Sequence, residues 1–322
     1  MTNRRNFLAV MAALGRISGA RAQAPAGPRI GWISYSVPGP ALDAFQEGMR
    51  SLGYAGRSAV GVEVRVVEAN PDRVRAAVEE LQKLGVALIV CQAAIAPVAH
   101  RINAGRVPLV FAFSGDPVVA GMVESFARPG GNTTGMSFLA LELVGKRLEV
   151  MKEIAPSVRR VAILANPQHP GEKAELKASL DAAGRIGVQT SYIQILPGEN
   201  PDAAFDRIRR ERVQGIIVFQ DAGMVARGTQ IAEFALRERL VAVSGWASFA
   251  QAGFLATYGP NLNDAYRHLA AYVDRLLKGA RADSLPVELP TRFELVVNLK
   301  TARMLGVAIP QSVLLRADEV IG

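Results

Sequence analysis

A single cysteine, Cys91, among 322 residues leaves no partner for an intramolecular disulfide. With only three histidines, His100, His169 and His268, no Cys/His zinc cluster can be assembled either. Aromatic residues make up 6% of the chain and no basic stripe is interleaved with them, which argues against a nucleic-acid groove. No later segment offers about 18 uninterrupted apolar residues, so no membrane-spanning helix is expected. The formal charge of +8 falls to +4 once residues 1–24 are set aside, because they carry Arg4, Arg5, Arg16 and Arg21 and no acid. The remaining charges alternate in sign, as in Glu149-Val-Met-Lys152-Glu153, which describes a solvated surface.

Enzyme motifs are also missing. No Gly-x-Ser-x-Gly elbow surrounds Ser34, Ser114, Ser137 or Ser244. Gly145-Lys146 is followed by Arg147 and lacks the glycine five positions earlier that a phosphate-binding loop needs. Arg128-Pro-Gly-Gly-Asn132 reads as a tight turn rather than a phosphate cradle. His100 and His268 fall in helical patterns, His169 lies in a loop with access to a cleft, and Cys91 ends an apolar strand as a buried, inert thiol.

What is present begins with an export signal. Residues 1–24 join a charged start, an apolar run from Phe7 to Leu14, and small residues at Ala20, Ala22 and Ala24. Arg4-Arg5-Asn6-Phe7-Leu8 is similar to the twin-arginine motif, with a general secretory signal as the alternative. Cleavage is expected after Ala24 or Ala22, and no cysteine stands there to accept a lipid. A periplasmic location without a lipid anchor follows.

The rest of the chain reads twice. Arg29-Ile-Gly-Trp-Ile-Ser34 and Arg160-Val-Ala-Ile-Leu-Ala165 are short buried strands of one design. Asn70-Pro71-Asp72 and Asn200-Pro201-Asp202 each open an amphipathic helix, with proline and a side-chain oxygen at the first turn. The β-rich runs 86–91 and 216–219 end at Gln92 and Gln220, and 107–113 and 240–245 end at Ser114 and Trp246. The offset between copies stays near 130 residues throughout. Strands alternating with helices imply parallel sheets covered on both faces.

The expected fold is therefore α/β: two Rossmann-like lobes with parallel sheets, joined by several crossovers. The first lobe takes residues 28–137 and 257–284, and the second takes 138–256 and 285–322. Ligands of such sheets bind beyond the carboxyl ends of the strands. That rule selects Ser34, Tyr35, Gln92 and Ser114 from the first lobe, Asn166, Gln220, Asp221 and Trp246 from the second, and Tyr258 at a crossover. Tyr35 and Trp246 can stack on a flat ring, hydroxyls and amides can fix polar groups, and Asp221 can pair with an ammonium. The same residues have structural alternatives: helix caps for Ser34 and Ser114, backbone bonding for Gln92 and Gln220, a solvated loop for Asp221, and hinge packing for Tyr258. Trp32, in mid-strand, is expected in the core.

Two longer segments add a resemblance. DPVVAGMVESFARPGGNTTG over 116–135 resembles the substrate-binding proteins of ABC transporters, including tryptophan- and tyrosine-type uptake components. PVELPTRFELVVNLKTARMLG over 286–306, with Ile309-Pro310, Leu315 to Val320, Tyr258-Gly-Pro260 and Tyr266-Arg267, is similar to the same family. The resemblance covers residues 28–321 and implies a type I periplasmic-binding-protein fold, with two lobes, three crossovers and a ligand enclosed on closure. It implies a small-molecule ligand and a membrane permease as partner; Tyr35 and Trp246 make an aromatic or amino-acid-like ligand the expectation. It implies no cofactor, no metal, no nucleic acid, no catalysis and a monomer. Trp246 departs from the family's pattern, so the ligand's identity is not carried over. A periplasmic sensor for a membrane receptor and an exported enzyme are the competing classes.

Overall fold

The apolar runs become strands because they are bounded by glycine, proline and helix-capping residues and can be buried on both faces. The computed structural model describes residues 27–35, 39–67, 70–139 and 141–322; the expected export signal, residues 1–24, lies outside them. The first sheet contains β1 (Arg29–Ser34), β2 (Gly61–Val66), β3 (Ile89–Gln92), β4 (Leu109–Phe113) and β5 (Thr133–Ser137) in the order β2-β1-β3-β4-β5, all parallel. The second contains β6 (Arg160–Ala165), β7 (Gln189–Gln194), β8 (Gly215–Val218), β9 (Val241–Ser244), β10 (Ala256–Pro260), β11 (Phe293–Asn298) and β12 (Glu319–Ile321). Its order is β12-β11-β10-β9-β8-β6-β7. Only β10 and β11 pair antiparallel, a departure from an all-parallel sheet; β11 enters after a crossover rather than after a helix.

The repeated helix starts hold, with one difference. Asn70 caps the helix Pro71–Lys83, its Oδ1 accepting from the backbone N–H of Asp72 and Arg73 at 2.9 and 3.1 Å. Asn200 instead closes a turn by accepting from the N–H of Asp202 at 3.1 Å, and the helix Asp202–Glu211 starts beyond Pro201. In each lobe the helix's apolar face, Val74, Val78 and Leu81 or Phe205 and Ile208, is buried against its sheet. Trp32 is fully buried between Phe45 and Tyr266, as expected of a core residue.

The crossovers fall at slightly different places than the sequence suggested. Residues 257–260, assigned to the first lobe, lie in β10, hydrogen-bonded into the second sheet. The chain then returns to the first lobe with the helix Leu262–Leu277, which packs so closely on the helix Pro40–Ser51 that a Cβ at Gly48 would lie 2.5 Å from the Arg267 carbonyl oxygen. Residues 285–288, assigned to the second lobe, run along β5: Thr134 Oγ1 donates to the Leu285 carbonyl at 2.6 Å and Ser137 N–H to that of Glu288 at 3.0 Å. Pro286 and Pro290 lack N–H donors, and this outer position beside β5 is where a sheet tolerates them. The chain thus passes between lobes after β5, after β10 and again between residues 288 and 293.

Among the described residues no helix is long and apolar enough to cross a membrane, and no cluster of His, Cys, Asp and Glu could hold a metal. Cys91 is buried in β3, and burial pushes its thiol well above the ordinary range. The native protein is expected to give no reaction with a maleimide at pH 7.5, and one equivalent of label after unfolding in guanidinium.

Candidate functional site

The carboxyl ends of both sheets face a common cleft, and each sheet's strand-to-helix loops line it. Its larger compartment, about 460 Å³, is walled from the first lobe by Tyr35, Gln92, Ser114, Phe138 and Tyr266 and from the second by Ala222, Val225, Trp246 and Ser248. None of these side chains is charged, and aromatic rings make up much of the wall. A second compartment, about 160 Å³, is lined by Asn166, Gln168, His169, Asp221 and Arg227, and shares Tyr35 and Ala222 with the first.

Local structure fixes these groups. Gln92 Nε2 donates to the Tyr266 hydroxyl at 2.8 Å, joining the end of β3 to the helix Leu262–Leu277. Burial pushes that hydroxyl's pKa up, so Tyr266 stays a neutral phenol. Phe138 meets the same ring edge-on, with centroids 5.7 Å apart. In the second lobe Asp221 caps the short helix Ala222–Ala226, its Oδ1 accepting from Met224 N–H at 2.8 Å. Asn166 Oδ1 accepts from Gln168 N–H at 3.0 Å, shaping the loop after β6. Arg227 reaches the carbonyls of Gly223 and Glu199, both at 3.0 Å, and forms no ion pair with a carboxylate among the described residues.

Below the second-lobe wall lies a buried ionic network. Arg147 is fully buried; its Nη1 donates to Glu175 Oε1 at 3.0 Å and its Nε to the Tyr258 carbonyl at 3.0 Å. Burial raises the Glu175 carboxyl above its ordinary range while the guanidinium pulls the other way. Arg147 Nη2 and Gln220 Oε1 have no partner among the described residues, and a Cβ at Gly245 would lie 2.6 Å from each. Gly245 leaves room for both.

Of the nine residues chosen from the sequence, Tyr35, Gln92, Ser114 and Trp246 line the larger compartment, and Asn166 and Asp221 the smaller. Ser34 and Gln220 are buried and line neither, and Tyr258 lies in β10, packed against the second core, and lines neither compartment.

The profile of the family described as ABC transporter substrate binding protein matches residues 33–321. The chain belongs to that family. The family is one of solute-binding proteins rather than enzymes, and its members are generally extracytoplasmic. Among curated proteins, a tyrosine-binding protein from Clostridioides difficile (strain R20291) is 21% identical over 200 residues. That match covers 62% of this chain and only 57% of the relative's length. Among solved structures, an ABC domain from Streptococcus pneumonia in complex with L-Trp superposes with a TM-score of 0.80 at 23% identity, over 92% of this chain and all of that one. A ligand-free, open substrate-binding protein with adhesive properties from Clostridium difficile gives 0.70 at 20% identity, over 91% and 99%. These likenesses fix the fold expected of a substrate-binding protein: two α/β lobes with parallel strands around a cleft.

Sequence reasoning missed several wall residues of this substrate-binding protein. Tyr266 arrives from a helix whose buried positions, Tyr266, Leu269, Ala270 and Val273, read as ordinary core spacing. Phe138 follows β5 and obeyed the same strand-end rule as the chosen residues, but the strand's Thr133-Thr-Gly-Met-Ser137 carries too few large apolar side chains to announce itself. Arg227 joins the helices Ala222–Ala226 and Gly228–Arg237, Ser248 sits in the short helix Ala247–Gln251, and neither gave a signal.

Proposed function

We propose that this protein captures a small aromatic zwitterion between its lobes and presents the closed form to the permease of an ABC importer. The observation that carries the reading is the two-part cleft, in which an uncharged aromatic compartment opens, past Tyr35 and Ala222, onto a polar one lined by Asp221, Arg227 and His169. A flat ring suits the first, between Tyr35, Phe138, Tyr266 and Trp246. An amino-acid head group suits the second, its ammonium toward Asp221 and its carboxylate toward Arg227. A ligand touching both lobes favours their closed arrangement, and the three crossovers serve as the hinge. The relatives named for tyrosine and complexed with L-Trp support the same ligand class. The arginine-rich, apolar start of the chain supports export, so the cleft faces the periplasm.

Thermal unfolding of residues 25–322 against L-tryptophan, L-tyrosine, L-phenylalanine, sugars and purines tests this. A ligand at 100 times its Kd adds about 2.7 kcal/mol to the folded state, which is a shift of several degrees. Aromatic amino acids are expected to give it and the other classes not. The Asp221→Asn variant is expected to bind the amino acid about 10- to 100-fold more weakly, the loss typical of a charged hydrogen bond, while binding of the corresponding 3-arylpropionate stays unchanged in calorimetry. No shift with any aromatic amino acid, after unfolding and refolding to strip copurified ligand, would refute the proposed ligand class.

A further inference from the structure

Ser114 was chosen as a ligand contact, but its hydroxyl is already engaged across the cleft. Ser114 Oγ and His169 Nε2, from loops after β4 of the first sheet and β6 of the second, share a hydrogen bond of 2.7 Å, and both side chains are buried. The Phe113 ring lies against the imidazole, centroids 5.8 Å apart. One step along, Asp116 N–H donates to the Pro170 carbonyl at 3.1 Å, again from lobe to lobe. A Cβ at Gly115 would stand 2.2 Å from that same carbonyl oxygen, so the two loops meet there at backbone contact. These contacts join the lobes at 114–116 and 169–171, beside the crossover that follows β5, where Ser137 Oγ donates to the Gly115 carbonyl at 2.9 Å and a Cβ at Gly171 would lie 3.0 Å from the Leu139 side chain.

From this geometry we infer that His169 and Ser114 form a latch that holds the lobes closed and makes that hold weaken as the pH falls. The inference rests on the proposed hinge closure. Parting the lobes breaks the bond and returns the imidazole to water; closing them buries it.

Asp221, from the segment after β8, acts on His169 directly, and Arg227 shares its compartment. Glu172 and Asp116 meet the His169–Pro170 loop through backbone N–H bonds, and Glu175, paired with Arg147, acts on Asp221. Asp221 favours the imidazolium, but burial outweighs it and holds His169 below its ordinary value. An opened cleft restores an ordinary histidine, near pH 6.5. The closed form therefore binds fewer protons, and acidification below about 6.5 favours opening, by up to about tenfold for each pH unit.

The test is a ring-carbon NMR titration of ¹³C-histidine-labelled protein, in which His169→Gln assigns the resonance among the three histidines. In the wild-type protein His169 is expected to titrate below 6.5, and in Ser114→Ala to move toward 6.5. Titration near 6.5 in both proteins would overturn the latch. L-tryptophan affinity, measured by calorimetry from pH 7.5 to 5.5, is expected to weaken in the wild type and to stay nearly flat in His169→Gln, whose amide can still bond Ser114. An equal pH response in the two proteins would assign it to another group and overturn the latch as well. A protein that ignores L-tryptophan at every pH refutes the ligand class, and the NMR titration still decides the latch.

Discussion

Replacing Arg147 with methionine is expected to destabilise the protein by about 3–5 kcal/mol, the usual consequence of removing one partner of a buried ion pair. Methionine fills similar volume, so the loss is electrostatic rather than a packing defect. The Glu175 carboxyl then sits in the second lobe with no cation to oppose its burial, and the Tyr258 carbonyl loses its donor. The melting temperature should fall on the order of 10 °C. The pH dependence separates this cause from simple misfolding. Without Arg147 the folded pKa of Glu175 rises further above its unfolded value near 4.3. The folded state then holds a proton that the unfolded state releases, so stability is retained below about pH 4.3 and lost as the pH rises through the folded pKa. The variant should therefore lie closer to the wild type at pH 4.5 than at pH 8, and Arg147→Met combined with Glu175→Gln should recover much of the difference at pH 8. A deficit of equal size at both pH values would place the cost in packing instead.

Arg147 also marks the limit of what the sequence discloses. Its neighbours Gly145-Lys146 and Glu149 describe a solvated helix face, and only the second sheet and the helix Glu172–Arg185 bury it. Periodic elements fared better. The ends of the helices Leu262–Leu277 and Leu299–Leu305 are set locally, by caps at Asn261 and Asn298 and a left-handed Gly306. The strands β2 and β7 were not read, since they are sheet edges, half-exposed, with Glu63 and Arg65 or Gln189 and Gln194 breaking any apolar run. The cleft was legible at strand ends such as Tyr35, Asn166 and Trp246, but the same rule also picked Ser34 and Gln220, which are buried and line neither compartment. It was not legible where two loops meet: Ser114 and His169 lie 55 positions apart and nothing local to either points to the other.

Trp246→Ala is expected to weaken aromatic ligand binding by about 2 kcal/mol or more, as for a buried aromatic anchor, which is roughly 30-fold or more in Kd. Trp246 forms part of the second lobe's wall of the aromatic compartment, where the facing side chains Ala222, Val225 and Ser248 are small, so no neighbour can replace its surface. Its indole Nε1 is buried without a partner among the described residues, which leaves a donor for a ligand acceptor. Truncation also opens a void that costs the fold a few kcal/mol, so Trp246→Phe is the companion variant, keeping most of the wall and losing only the donor. The chain has two tryptophans, and Trp32 is fully buried in the first lobe's core. A ligand seated against Trp246 should therefore quench or shift emission in the wild type and in Trp32→Phe, but not in Trp246→Phe, although that last variant still binds by calorimetry. Emission that responds to ligand in Trp246→Phe as in the wild type would move the ring away from this wall. Affinity unchanged in Trp246→Ala would do the same, and would leave Tyr35, Phe138 and Tyr266 of the first lobe as the surface on which the ligand stacks.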